Sequence, residues 1–437
     1  MAAFLIVVKI ITSIFAVIWN LIVKIINVVV NAINKNIRKR NDRINRGVVE
    51  TKHTSVESLI PEFLQIDNLL ISGGSDSVRA EFISQSAKNA QAQGYATIVL
   101  HENNRYLVQQ LTAKLNKTNF VVIDSYNPVF EPFFKLSTKE IIKTLFDIAT
   151  DDYDLKKNGS YYIEGMCDFL NSKKARPTLR NFNSCPHFQL FDKIDNLVLN
   201  GVLTDVKGQE IKSKLMMGQS EQFKIESLVS DFYDQSESIL FASKKQPRYS
   251  ILRSIMKNDV LSIDISSNVN TLLINSIISQ LRQAINKGKH VVLITDNLTM
   301  AGNATVKRIM TERTGKCKLI ASSVDALSMC DGDEKSFSTL VGNSEQIIIL
   351  GHASGATCTK WAETIGYYNK QEESQSYEKG SMKHSPFTLF PGSNNATTKT
   401  YNIKREYIVK PEMINRMAQN EVYSYDHRKN QLLHSFI

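Results

Sequence analysis

Proline, glycine, tryptophan and cysteine are all scarce in this chain of 437 residues, with 9 Pro, 19 Gly, 2 Trp and 5 Cys. So little Pro and Gly excludes a collagen-like or low-complexity chain, and 42% hydrophobic with 22% charged residues excludes a disordered one. The five cysteines, Cys167, Cys185, Cys317, Cys330 and Cys358, are odd in number, scattered and without a Cys-x-x-Cys pair. That argues against a disulfide framework or zinc knuckle and places the folded part in a reducing compartment. Cys185-Pro-His187 has no second pair at ligand spacing, so buried thiols are the expectation. The length suggests two or three domains at roughly 100–200 residues each.

Basic charge over most of the chain is also lacking. Lys+Arg 53 against Asp+Glu 43 gives +10, yet residues 1–47 hold eight basic side chains (Lys9, Lys24, Lys35, Arg38, Lys39, Arg40, Arg43, Arg46) against Asp42 alone, which is +7. The rest carries only +3. A body coated in basic charge for nucleic acid is thereby excluded, and a local basic collar beside something anionic is indicated.

What precedes the collar is apolar from Ala2 to Val30, apart from a few polar residues that share one side. Lys9, Ser13, Asn20, Lys24, Asn27 and Asn31 fall within about 60° on a helical wheel. A cleaved signal peptide would end in small residues, whereas Lys35–Arg46 follows here. The stretch is long enough to cross a core of roughly 30 Å, and the basic residues after it orient the body to the cytoplasm. The longest uncharged run, Ile10–Val23, falls short of the ~18 residues of a clean span, so an interfacial helix is the competing reading. The narrow, Asn-rich stripe favours spanning within a bundle.

After a polar linker, strand and helix patterns alternate: strands at Ile66–Ser72, Tyr95–Glu102 and Phe120–Asp124, helices at Ser77–Gln93 and Arg105–Leu115. Apolar strands alternating with helices predict parallel βαβ units. Helical patterns dominate residues 135–245, and strands return at Val260–Ile265, Val291–Thr295, Lys318–Ala321 and Gln346–Leu350. Helices are expected at Thr271–Asn286 and Ala304–Thr314. Gln371–Lys399 is polar and reads as a long loop before a last α/β piece, Tyr401–Ile437. The fold class is thus α/β, one parallel sheet interrupted by an all-α insert and preceded by a membrane helix. The segments are 1–34 (anchor), 35–58 (collar and linker), 59–134 (first half of the sheet domain), 135–245 (helical insert) and 246–437 (second half).

In such a sheet the ligand crevice lies beyond the carboxyl ends of the strands. The first strand-to-helix turn there reads Ser72-Gly73-Gly74-Ser75-Asp76-Ser77-Val78-Arg79-Ala80. A phosphate loop requires G-x-x-x-x-G-K-[ST], with backbone N–H groups on the phosphates, Lys on the terminal ones and a hydroxyl on magnesium. Counted from Gly73, Val78 replaces the second Gly, Arg79 the Lys and Ala80 the hydroxyl. Gly73, Gly74, Ser75 and Arg79 are therefore at most a remnant, from which Arg79 could still reach a phosphate. Asp296, ending Val291–Asp296, is a candidate to hold a metal through water, but Asn297 follows where a hydrolytic ATPase places Glu. The plain alternative is a tight turn and a helix-capping Asp. Gly351-His352-Ala353-Ser354-Gly355 departs from the G-x-S-x-G spacing of a nucleophile elbow, and His101-Glu102 could act as acid and base in a small-molecule enzyme.

In order, these pieces resemble the TraG/TraD-type coupling proteins of conjugative and type IV secretion systems. Members of that family are membrane-anchored, RecA-like hexameric ATPases that recruit DNA or protein to a transfer channel. Ile66–Gly74 stands at the phosphate-loop strand, Ala96–Arg105 at the strand with Asp-x-Lys-Gly-Glu, Phe120–Pro128 at the strand leading into Asn-Pro, and Val291–Asp296 at the acidic strand. Ala321–Leu327 resembles the Gln-Ser-x-x-Gln-Leu sensor segment, and Thr357–Gly366 the helix after it. The resemblance implies ATP and Mg2+ for an intact site, a ring of like or related subunits, transfer-system partners and single-stranded DNA as a candidate cargo. The chemical positions depart from it: Arg79 for Lys, Ala80 for the hydroxyl, Asn297 for Glu, Ser322 for the sensor Gln and His101 for an acid. They imply a member that uses no nucleotide, with an active motor on an unusual site as the alternative. Arg313, after the acidic-strand helix, reads first as a solvated helix-end Arg favoured by the dipole, with reach to a neighbouring subunit as the competing reading.

Overall fold

The computed structural model describes residues 15, 17–36, 50–60, 68–149, 155–185, 187–241, 247–266, 271–298, 316–379 and 395–437. The expected helix over 304–314 with Arg313, the Lys9 and Ser13 end of the polar stripe and the collar from Arg38 to Arg46 lie outside the described residues. Val17–Asn36 is one exposed helix, with a mean hydropathy of 1.7, long and apolar enough to cross a membrane.

Among the described residues, ten strands form one sheet. In chain order they are β1 (Glu50–His53), β2 (Asn68–Ser72), β3 (Ala96–His101), β4 (Phe120–Ile123), β5 (Val260–Asp264), β6 (Val291–Asp296), β7 (Cys317–Ser323), β8 (Gln346–Ile349), β11 (Glu421–Asp426) and β12 (Gln431–Phe436). Their spatial order is β1-β12-β11-β8-β2-β7-β6-β3-β5-β4. Every pairing from β8 to β4 is parallel, while β11 runs antiparallel to both β8 and β12. This is a RecA-like sheet. β7, which follows the acidic strand β6 in sequence, inserts between β6 and the glycine-turn strand β2.

The continuous apolar runs of β2, β3 and β6 are what strands buried on both faces require, and every residue in them is buried. Alternation then divides the core in two. Leu69, Ile71, Val99, Val260, Val292, Ile294 and Ile320 face one side, under helices Asp76–Ala92 and Arg105–Lys114. Leu70, Ile98, Leu100, Leu261, Leu293 and Leu319 face the other, under helix Thr271–Asn286 and the helices inserted between β4 and β5. Those include Thr138–Ile148, Gly159–Ser172, Asp205–Met217 and Gln222–Ser236, whose apolar stripes merge with the same core.

The segment Gln371–Lys399, read from its polarity as a loop, corrects that expectation. Its two described ends, 371–379 and 395–399, belong to an antiparallel ribbon of β9 (Tyr367–Lys379) and β10 (Asn395–Tyr407), paired from Tyr367↔Tyr407 to Lys379↔Asn395, and 380–394 lie outside the described residues. A ribbon satisfies its main-chain groups by cross-strand pairing without an apolar face, so low hydrophobicity alone does not argue against strands. At its base Tyr367 and Tyr407 stack 4.6 Å apart, with the Arg405 guanidinium 4.2 Å from the Tyr367 ring.

Candidate functional site

Strand alternation fixes which side chains can meet at the carboxyl edge. Asp296 lies on the same face as Val292 and Ile294, and its registered partners His101 on β3 and Ser322 on β7 lie on that face too. Ser262 on β5 shares it with Val260. A row of four polar residues, Ser262, His101, Asp296 and Ser322, therefore crosses the ends of adjacent strands beneath the helix that starts at Asp76. Arg79 sits one turn into that helix and points into the row.

Arg79 is wholly buried, and its guanidinium is shared three ways. Nε donates to Asp296 Oδ1 at 3.1 Å, Nη1 donates to the Gly74 carbonyl at 2.8 Å, and Nη2 pairs with Asp76. Asp296 Oδ1 also accepts from Ser322 Oγ at 2.8 Å, and Oδ2 accepts from Asn104 Nδ2 at 2.6 Å. Asn104 caps helix Arg105–Lys114 through its Oδ1, which accepts from Leu107 N at 3.0 Å, so its amide is fixed at both ends. Both carboxylate oxygens are thus occupied by protein donors. A buried charge pair of this kind is tolerable because both carboxylate oxygens and all three guanidinium nitrogens have partners.

The glycine turn is closed as well. Gly73 N donates to the Ser323 carbonyl and Gly74 N to the Gly351 carbonyl, each at 2.9 Å. Gly73 has φ +91°, and a Cβ there would stand 2.8 Å from the Leu350 oxygen and 2.9 Å from His352 Nε2, so glycine is needed for close packing of backbone against backbone. Two N–H groups of the turn are therefore spent on neighbouring loops. Ser75, the other residue of the turn, faces solvent, its hydroxyl 3.0 Å from Ser77 Oγ and accepting from Gln419 Nε2 at 3.3 Å.

Behind the turn lies a second polar knot. Trp361 Nε1, which can only donate, reaches His352 Nε2 at 3.1 Å, and Ser72 Oγ lies 3.1 Å from the same nitrogen while accepting from Ala326 N at 3.3 Å. Burial pushes the imidazole down to about 4, so it is neutral near pH 7. Ser354, the serine of the supposed elbow, instead caps helix Gly355–Ile365, accepting from Thr357 N at 3.4 Å. Asp325, in the sensor-like segment, accepts from Thr357 Oγ1 at 2.7 Å and from Leu327 N at 2.9 Å.

Further along the edge the ends of β3, β4 and β5 enclose an open cleft of about 580 Å³. His101, Asn104, Arg105, Asp124, Tyr126 and Asp264 line it. Asp264 Oδ1 accepts from Asn103 N and Ser266 N, each at 3.0 Å, and Asp124 Oδ1 from Tyr126 N at 2.9 Å and Asn127 N at 2.7 Å. His101 Nε2 is 3.0 Å from Ser262 Oγ, and burial lowers its pKa against the opposing pull of Asp264, Asp296 and Asp124.

The structure thus brings Gly73, Gly74, Arg79, Asp296 and Ser322 together. Asn297 stands outside the knot, with φ +49° and its N–H on the Ser322 carbonyl at 2.8 Å. Arg79, read from the sequence as a residue that could reach a phosphate, is buried with its guanidinium against Asp296. Asn104 belongs to the knot without having been singled out by sequence reasoning, although a polar residue beginning a helix after an apolar strand is a signal for it, and His352 entered there only as part of the elbow-like segment. Among the described residues no group of three or more His, Cys, Asp or Glu is arranged to hold a metal ion. The side chains present do not fit Mg·ATP, because the Asp296 oxygens and the Arg79 guanidinium are already engaged with each other and with Ser322, Asn104 and Gly74.

No family model and no curated protein matches the chain. Solved structures do match. The plasmid coupling protein TrwB, in complex with a non-hydrolysable ATP analogue, matches with a TM-score of 0.50 at 14% identity, over 91% of each chain. TrwB with a non-hydrolysable GTP analogue matches with a TM-score of 0.50 at 13% identity over the same shares. The chain has the fold of a conjugative coupling protein.

Proposed function

We propose that this chain is a catalytically silent, coupling-ATPase-like subunit of a conjugative or type IV secretion machine, recruiting or scaffolding other components. Its shared fold with TrwB supports the class. TrwB has been captured with an ATP analogue, whereas here the Arg79 guanidinium lies behind the glycine turn, bonded to Asp296. That single ion pair carries the reading: it takes the place of both the cation that would meet a terminal phosphate and the carboxylate that would hold a metal through water. The exposed apolar helix Val17–Asn36 anchors the subunit in a membrane, with the collar after it on the cytoplasmic side. Neighbouring subunits of its own or related kind, transfer-system proteins and single-stranded DNA are the partners this class of machine offers.

The test is nucleotide chemistry on the full-length protein in detergent. No magnesium-dependent ATP turnover is expected, and no saturable Mg·ATP binding up to about 1 mM, the weak end of the affinity scale. Turnover near 1 per second, within the ordinary range for enzymes and abolished by Asp296→Ala, would make it an active motor instead.

A further inference from the structure

The chain enters and leaves the inserted helices through one narrow neck. Val129–Glu131 on the incoming leg lies between Ile239–Phe241 and Tyr249 on the outgoing one. Phe130 N donates to the Ile239 carbonyl at 3.1 Å and Phe241 N to the Phe130 carbonyl at 2.9 Å. Tyr249 N donates to the Val129 carbonyl at 3.0 Å and Glu131 N to the Tyr249 carbonyl at 2.8 Å. The Phe241 ring is held by two guanidinium groups, Arg248 at 4.0 Å and Arg180 at 5.4 Å from its centroid.

Inside this neck Glu131 is completely buried. Its Oε1 accepts from Leu179 N at 2.9 Å and Phe133 N at 3.3 Å, while Oε2 has no hydrogen-bond partner. An ionised carboxylate leaving one oxygen unpaired in a dry interior is costly, so this arrangement suits the neutral acid. The charged groups facing it are Arg248 on the outgoing leg and Arg180 on helix Leu179–Asn183. Both are close enough to act electrostatically, yet both are stacked on Phe241.

We propose that Glu131 is a proton-operated latch between the sheet and the inserted helices: protonated, it leaves the neck sealed, and on ionisation it draws Arg248 or Arg180 off Phe241 and loosens the ladder. The proton passes to solvent and no other reactant is needed. Burial pushes the carboxyl up to about 7, against the pull of the Leu179 and Phe133 amides and the two arginines, so the transition falls near neutral pH. Folding therefore takes up a proton at Glu131. The stability tied to the neutral form is present below its unfolded value near 4.5 and is lost as pH rises towards 7.

Hydrogen exchange on the full-length protein at pH 6 and pH 8 tests this, with rates corrected for intrinsic base catalysis. Protection of the Phe133, Leu179 and Tyr249 amides in the wild type should fall by about 10-fold or more between the two, a local opening rather than global unfolding. In Glu131→Gln, which removes the charge but keeps the acceptor for Leu179 N, protection should not change with pH. Unchanged wild-type protection, or an equal fall in both proteins, overturns the proposal. Should the variant fail to fold, the carboxyl carbon of Glu131 followed by NMR in the wild type decides: a midpoint near 7 supports the latch, and one below about 5.5 refutes it.

Discussion

Two stretches of the same sheet edge behave in opposite ways. At the ends of β2, β6, β7 and β8 the buried polar side chains are turned on one another. At the ends of β3, β4 and β5, one strand spacing away, polar groups of the same kinds are held by backbone N–H groups around an open cleft. The difference lies in what completes each carboxylate. Asp296 is completed by buried side chains from three separate elements, so its neighbours lock together; Asp124 is completed by the backbone of its own turn, and Asp264 by that of its own turn and the turn after β3. On this RecA-like edge, side-chain pairing at one point and backbone pairing at the next coexist on a single sheet.

The largest effect expected from breaking this contrast is at Arg79. Arg79→Ala leaves Asp296 buried with only neutral donors, and removal of one partner of a buried pair costs about 3–5 kcal/mol. Urea unfolding of the variant should show that loss. Arg79→Lys should recover only part of it, since one ammonium cannot reproduce three directed N–H groups on Asp296, Gly74 and Asp76. A loss below about 1 kcal/mol would place the pair among weak surface bridges and undo the account of the closed turn.

Next in size is the acid response of the knot behind the turn. His352 is held neutral, so its contribution is present above its unfolded value of 6.5 and is lost as pH falls towards about 4. The span corresponds to on the order of 3 kcal/mol. Protonating Nε2 would also set an N–H against the Trp361 N–H, which has no acceptor to offer. Glu131 acts in the opposite sense over part of the same range, so the wild-type curve alone is ambiguous. The readable quantity is the difference between wild type and His352→Gln, which should shrink steadily as pH is lowered from 7 to 4. A constant difference would mean that the imidazole does not titrate in this range.

Much of this edge was legible in the sequence. The strands and their order of chemistry could be read because β2, β3 and β6 are apolar runs with nothing else to become, and the failures of the phosphate-loop pattern at Val78, Arg79 and Ala80 were visible as substitutions. The direction of the Arg79 side chain was not, because an Arg one turn into a helix reads the same whether it faces phosphate or a neighbouring strand; only the register His101↔Asp296↔Ser322 decides it. The ribbon of β9 and β10 was missed because polarity was taken for loop, although Thr397, Thr398, Thr400 and Tyr401 are residues that strands favour. The neck at Glu131 left no local signal at all, since its partners Leu179, Arg180 and Arg248 come from distant parts of the chain.

The smallest effect should come from the open cleft, and its smallness is what sharpens the comparison. Asp264→Asn keeps an oxygen for the Asn103 and Ser266 amides and removes only the charge from two hydrogen bonds at an accessible position. Charged hydrogen bonds exceed neutral ones by roughly a factor of two, so the loss should stay near or below 1 kcal/mol in urea unfolding. The same change removes a carboxylate that favours the charged form of His101, whose pKa should move further down by NMR titration. If Asp264→Asn were instead as damaging as Arg79→Ala, the cleft would be structural in the same sense as the closed turn. An edge in which one carboxylate can be neutralised at little cost, while its neighbour two strands away cannot, holds its open cleft apart from its locked turn.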